Sequence, residues 1–224
     1  NLTYENVTIL ISPGGKIVNN GQFNLINCQV DGCEQMWDRI ENRGDFASSG
    51  TTFRHGEAAL ELFANCSTRV ENSTFTDNVV GIYSRKNVNN SVRKTLALFS
   101  LTGSTFQWSG IEIDQNLRYP STFSQNTGAG SNPLQQPQFF MRPANGLNIQ
   151  YVNTIAIGQN SATNTNHFLN MWNGITLNST TGIITNCRFT GMEASADHEQ
   201  LSNNSQLVEP QDIILISQNP NFNT

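Results

Sequence analysis

Apolar residues come in short alternating runs along this chain, and polar corners break them at close intervals. The clearest block runs from Arg69 to Ser84. It reads as a short strand, an Asn72-Ser73 corner, a second strand, an Asp77-Asn78 corner and a third strand. Period-two alternation predicts that Val70, Phe75, Val80 and Ile82 point inward.

The same grammar recurs. Ser73-Thr74-Phe75-Thr76-Asp77-Asn78 has partners in Thr51-Thr52-Phe53-Arg54-His55-Gly56 and Ser104-Thr105-Phe106-Gln107-Trp108. Asn27-Cys28-Gln29-Val30-Asp31-Gly32 returns as Asn186-Cys187-Arg188-Phe189-Thr190-Gly191, and Met36-Trp37-Asp38-Arg39-Ile40 as Met171-Trp172-Asn173-Gly174-Ile175. Val30, Phe53 and Phe75 are almost evenly spaced along the chain. Phe106 follows after a longer step, as expected for one coil with a loop inserted around Lys86 to Lys94. Each copy is too short to bury its own apolar face, so the copies must stack into a solenoid. About eight coils at ~4.8 Å each would make a column on the order of 40 Å long. Phe53, Phe75, Phe106 and Phe189 are then expected in one internal file.

Between Asp114 and Ala144 the pattern stops, and prolines and glycines punctuate a Gln/Ser/Asn-rich stretch. The chain therefore reads as a single β-helix domain over 1–224, a segment of a longer chain, with a long loop insertion at 114–145. Its aromatic residues, Tyr119 and Phe139 among them, would let that loop fold down onto the column. No secretion signal is visible and no initiator Met opens the chain, so a removed leader is compatible with the sequence.

Composition sharpens this picture. Asn, Ser, Thr and Gly dominate the polar positions and disfavour long helices, because Asn, Ser and Thr compete for backbone hydrogen bonds. Charged residues make up 13% and the net charge is -5, which offers no footprint for nucleic acid. No apolar run has the length of a membrane helix. The four cysteines, Cys28, Cys33, Cys66 and Cys187, lack zinc-ligand spacing. Cys28 and Cys187 share a frame and read as equivalent small buried residues. A bridge from Cys28 to Cys33 or Cys66 is the alternative in an oxidising compartment.

The repeated units Asn72-Ser73-Thr74-Phe75 … Gly81-Ile82 and Asn186-Cys187-Arg188-Phe189 resemble those of right-handed parallel β-helix repeat proteins, the pectate-lyase-like superfamily. The Met-Trp pair and the Pro13-Gly14-Gly15-Lys16-Ile17 opening are more specifically similar to large secreted surface proteins of Gram-negative bacteria exported by the type IX route. This resemblance implies an all-β, right-handed parallel β-helix with long loop insertions, and an extracellular or cell-surface location. The fold carries many functions, so the resemblance bears on shape more than on activity.

Polysaccharide lyases of this fold use acidic clusters that bind calcium, with an Arg or Lys base on one exposed sheet. Here Asp31, Asp38, Asp77 and Asp114 stand apart in sequence, and no carboxylate pair falls in one frame on successive coils. No clear motif supports calcium, and no cofactor is expected. Arg54, Arg69 and Arg188 lie on or beside strands and could face solvent. His55-Gly56-Glu57 could set an acid beside a base. Trp37 and Trp172 read as coil packing because they recur with the repeat. The better ligand contacts are Asp114, Arg118 and Tyr119 in the long loop. Sequons at Asn6, Asn65, Asn72 and Asn178 are explained by corner stacking, with asparagines bonded along the column. The expected role is a structural or adhesive segment whose partners are further copies or other surface proteins, rather than an enzyme. The alternative is a glycan-binding or polysaccharide-cleaving domain.

Overall fold

The computed structural model describes residues 1–33, 36–84, 93–107, 145–158, 164–171 and 173–190, and the strand at 211–216. Among the described residues every regular element is a strand, and the strands come in threes. The first turn is β1 (Leu2–Glu5), β2 (Thr8–Ile11) and β3 (Lys16–Asn19). The second is β4 (Gln22–Ile26), β5 (Gln29–Gly32) and β6 (Trp37–Asn42). The third is β7 (Asp45–Ser49), β8 (Thr52–Arg54) and β9 (Gly56–Leu62). The fourth is β10 (Ser67–Glu71), β11 (Thr74–Thr76) and β12 (Val80–Ser84). Next come β13 (Leu98–Thr102), β14 (Thr105–Gln107) and β15 (Asn145–Gln150), then β16 (Thr154–Ile157), β17 (Asn166–Leu169) and β18 (Asn173–Asn178). The last triplet is β19 (Thr181–Ile184), β20 (Cys187–Thr190) and β21 (Gln211–Ile216).

Each member of a triplet pairs in parallel with its counterpart in the next, except β13 with β16, so the chain is a parallel β-solenoid with three faces. Face two is the seven-stranded sheet β2-β5-β8-β11-β14-β17-β20, and face three runs from β3 to β21 through seven strands. Face one is β1-β4-β7-β10-β13, continued by the pair β16-β19. Seven passes leave six stacking steps, about 29 Å at the usual strand spacing. The described residues thus make seven passes, one fewer than the eight coils expected from the sequence. The loop insertion expected at 114–145 lies outside the described residues, except that Asn145 already opens β15.

Two side-chain files hold the turns together. On face two, Ile9, Val30, Phe53, Phe75, Phe106, Phe168 and Phe189 are in direct register. From Phe53 to Phe189 the rings stack with centroids 4.8, 4.6, 5.0 and 4.9 Å apart. The ring spacing equals the strand spacing, so register alone enforces stacking. Each pair adds roughly 0.5–1.5 kcal/mol beyond its buried area. The file contains all four expected phenylalanines, and it adds Phe168. The Gly-Ile and Gly-Leu repeats have their cause here. A Cβ at Gly81 would come within 2.5 Å of the Phe106 ring, and one at Gly146 within 2.6 Å of Phe168. Glycine on face three makes room for the rings of face two. Val70, Phe75 and Ile82 are buried as expected. Val80 is only half-buried, because it lies in the outward file between Ala58 and Asn145.

The second file lies at the corner from face one to face two. One residue there has positive φ: Asn6, Asn27, Gly50, Asn72, Gly103, Gly158 or Asn186. Asn tolerates this conformation and Gly adopts it freely. The carboxamides of Asn27 and Asn72 lie over Gly50 and Gly103 in the next turn, where a Cβ would collide with them. Beside these corners Cys28, Thr51, Ser73 and Ser104 bond up the column. The Cys28 N–H donates to Thr51 Oγ1 at 3.3 Å, Thr51 N–H to Ser73 Oγ at 3.4 Å, and Ser73 N–H to Ser104 Oγ at 3.2 Å. Ser104 N–H donates to Asn166 Oδ1 at 3.0 Å. Asn166 stands opposite Cys187, so Cys28 and Cys187 occupy one file, as their shared frame predicts. Another asparagine step joins the early turns, with Asn19 Nδ2 donating to Asn42 Oδ1 at 2.9 Å.

Candidate functional site

Among the described residues face three carries the densest charge. Its outward file on the early turns includes Glu41 directly opposite Glu61. Trp37 stands opposite Gly56 and Arg39 opposite Ala58, which sets Asp38 abreast of Glu57. Successive turns thus stack acid on acid twice, contrary to the expectation that no carboxylates share a frame. The segment from Cys33 to Met36 separates β5 from β6, whereas His55 alone separates β8 from β9. The steps from Trp37 to Gly56 and from Ile40 to Leu60 on face three are therefore shorter than the step from Val30 to Phe53 on face two. A single-period search misses the pairing for that reason.

Like charges directly opposite destabilise a sheet unless cations intervene. Arg39 donates to Asp38 at 2.5 Å and to Glu61 at 2.8 Å, bridging the two acid pairs. Lys16 and Arg43 each reach Glu41 at 2.7 Å. The two glutamates are nearly sealed, at 6% and 1% side-chain exposure. Burial pushes the Glu41 carboxyl up, but the hydrogen bonds from Lys16 and Arg43 outweigh it and hold it below the usual range. Burial also opposes the charge on Arg39, and Asp38 and Glu61 more than offset that and fix the guanidinium as a cation. Glu57 is the exception. Burial and the neighbouring Asp38 push its carboxyl up to about 7, against the weaker pull of Arg39.

The other sequence candidates take different places. Asp114, Arg118 and Tyr119 lie outside the described residues, as do Trp108, Trp172 and His198. His55 turns away from Glu57 and pairs with Asp31, Nδ1 to Oδ1 at 2.8 Å. Asp31 also accepts from the Gly32 N–H at 2.8 Å. Burial raises its carboxyl and the bonds from His55 outweigh that, leaving it lowered. Trp37 is a core residue, fully buried with its Nε1 donating to the Arg54 carbonyl at 2.6 Å. Arg69 and Arg188 are exposed, while Arg54 is half-buried. All four cysteines are free, so neither bridge expected for Cys28 forms. Burial pushes the Cys66 thiol up and the Cys187 thiol up to about 11, the wrong direction for a nucleophile.

Among the described residues no three His, Cys, Asp or Glu side chains are grouped to hold a metal ion, and no helix is long and apolar enough to cross a membrane. No family model, curated protein or solved structure matches the chain. The arrangement on face three can do two things chemically. It can present a mixed-charge wall to a polar ligand, and it can hold a proton on Glu57.

Proposed function

We propose that the chain is a structural β-solenoid rod, an adhesive segment of a large extracellular or cell-surface protein that associates with further copies or other surface proteins. The observation that supports this most is the continuity of the phenylalanine and corner files along the column. Side chains bonded turn to turn resist bending and stretching, which is what a spacer or filament segment requires. The likeness to pectate-lyase-like repeat proteins and to type IX cargo belongs to the same proposal and adds the exposed location. Native mass measurement and electron microscopy of the natural full-length protein test it. Ordered oligomers or filaments support the reading, and a monodisperse monomer without affinity for surface proteins opposes it.

A second reading, glycan binding or cleavage, rests on the mixed-charge wall in which Arg39 lies between Asp38 and Glu61, polar groups of the kind that hydrogen-bond sugar hydroxyls and carboxylates. A screen of acidic and neutral polysaccharides for binding and for new unsaturated or reducing ends tests it. Loss of the signal in Arg39→Ala would place the site on face three. A silent screen would leave only the rod.

A further inference from the structure

We propose that the wall of face three takes up one proton, held by Glu57 beside Asp38, and that this proton tightens the join between the second and third turns. The geometry comes first. Strands β6 and β9 place four carboxyls, Asp38, Glu41, Glu57 and Glu61, on adjacent turns of one face. Among the described residues three cations are bonded to them. Lys16 and Arg43 are spent on Glu41, and Arg39 on Asp38 and Glu61. Glu57 has no hydrogen bond or ion pair among the described residues. Among the described residues four carboxyls are thus set against three cations, and Glu57 is the carboxyl that none of them reaches.

The surroundings of Glu57 favour that proton. Asp38 and Arg39 face it from β6, with Glu41 farther along that strand. Val80 of β12 flanks Ala58 on the other side and brings no charge. Glu61 is on its own strand, and Lys16 and Arg43 lie beyond Glu41. His55, two residues earlier, is committed to Asp31. Burial acts most strongly on the Glu57 carboxyl, the Asp38 carboxylate adds to it, and Arg39 only partly opposes them.

The direction of the pH effect follows. The folded chain holds the Glu57 proton up to about pH 7, whereas an unfolded chain releases it near the ordinary 4.5. This contribution to stability is complete below the lower value and disappears as pH rises through the upper one. Glu57 is partly open to solvent, so screening trims the full linkage to roughly ten- to fiftyfold in the folding constant.

Denaturant unfolding of the chain from about pH 5 to about pH 8.5 reads it directly, comparing the parent with Glu57→Gln and Asp38→Asn. The parent should lose about tenfold or more in folding constant across that window. Glu57→Gln should lack that component and be the more stable protein at the alkaline end. Asp38→Asn should move the fall to lower pH. Any slope from groups other than Glu57 is common to parent and variant and cancels in the difference. A Glu57→Gln protein that keeps the parent's slope, or is less stable than the parent at high pH, overturns the proposal. Should that variant not fold, carbon-13 titration of the Glu57 carboxyl in the parent decides, since a midpoint near 7 supports the proton and one near 4.5 removes it.

Discussion

Face two and the early part of face three stack by the same ladder geometry, with opposite consequences of repetition. On face two a phenylalanine above a phenylalanine gains from both neighbours, and the file grows stronger with length. On face three a carboxylate above a carboxylate loses, and the pairs stand only because Arg39, Lys16 and Arg43 are threaded between them. A solenoid multiplies whatever its register brings together. Inward positions can therefore repeat one residue type, while outward charged positions must alternate or recruit cations.

Breaking the apolar side of that comparison should cost most. Phe106 is fully buried and stacked on both faces, so Phe106→Ala should lose about 3–5 kcal/mol in urea unfolding. Phe189→Ala, with one ring neighbour among the described residues and half-buried, should lose clearly less. Breaking the charged side comes next. Arg39→Ala takes a guanidinium away from Glu61 at 1% exposure and should cost about 2–4 kcal/mol, with much of it recovered by adding Glu61→Gln. A double-mutant cycle in which the second change restores nothing would remove Arg39 from its bridging place.

Gly81→Ala tests how tightly the two faces are keyed. Its methyl would meet the Phe106 ring and the Gly146 carbonyl, for an expected loss of about 1–3 kcal/mol by the same unfolding assay. Pairing it with Phe106→Leu should soften the loss. The smallest effect belongs to Lys16→Ala. That ammonium is about half exposed, and Arg43 still covers Glu41, so thermal unfolding should shift by no more than roughly 1 kcal/mol equivalent.

The contrast also explains what was legible from residues alone. Inward files repeat at nearly one period, so Phe53, Phe75 and Phe106 declare the solenoid, and Phe106 stands opposite Phe75 across the longer step, while most of the loop expected around Lys86 to Lys94 lies outside the described residues. Phe168 stays hidden because the stretch between it and Phe106 is far longer than one coil and polar chain surrounds it. The asparagine corners were readable because αL geometry restricts them to few residue types. The acid pairs were not, since a change in corner length shifts face three out of phase with the other faces. Charge pairing across turns depends on that phase, and no local pattern records it.

Register along the axis is the claim on which the files, the glycine positions and the charged wall all depend. Nuclear Overhauser measurement between selectively labelled phenylalanine rings tests it most directly, using Phe106 and Phe168. Strands β15 and β16 intervene between these rings in the chain, yet their centroids lie 5.0 Å apart. Strong ring-to-ring cross-peaks for that pair, matched by those for Phe75 and Phe106, are the predicted result. Cross-peaks to Phe75 with none to Phe168 would mean that the column does not continue past Phe106 as described.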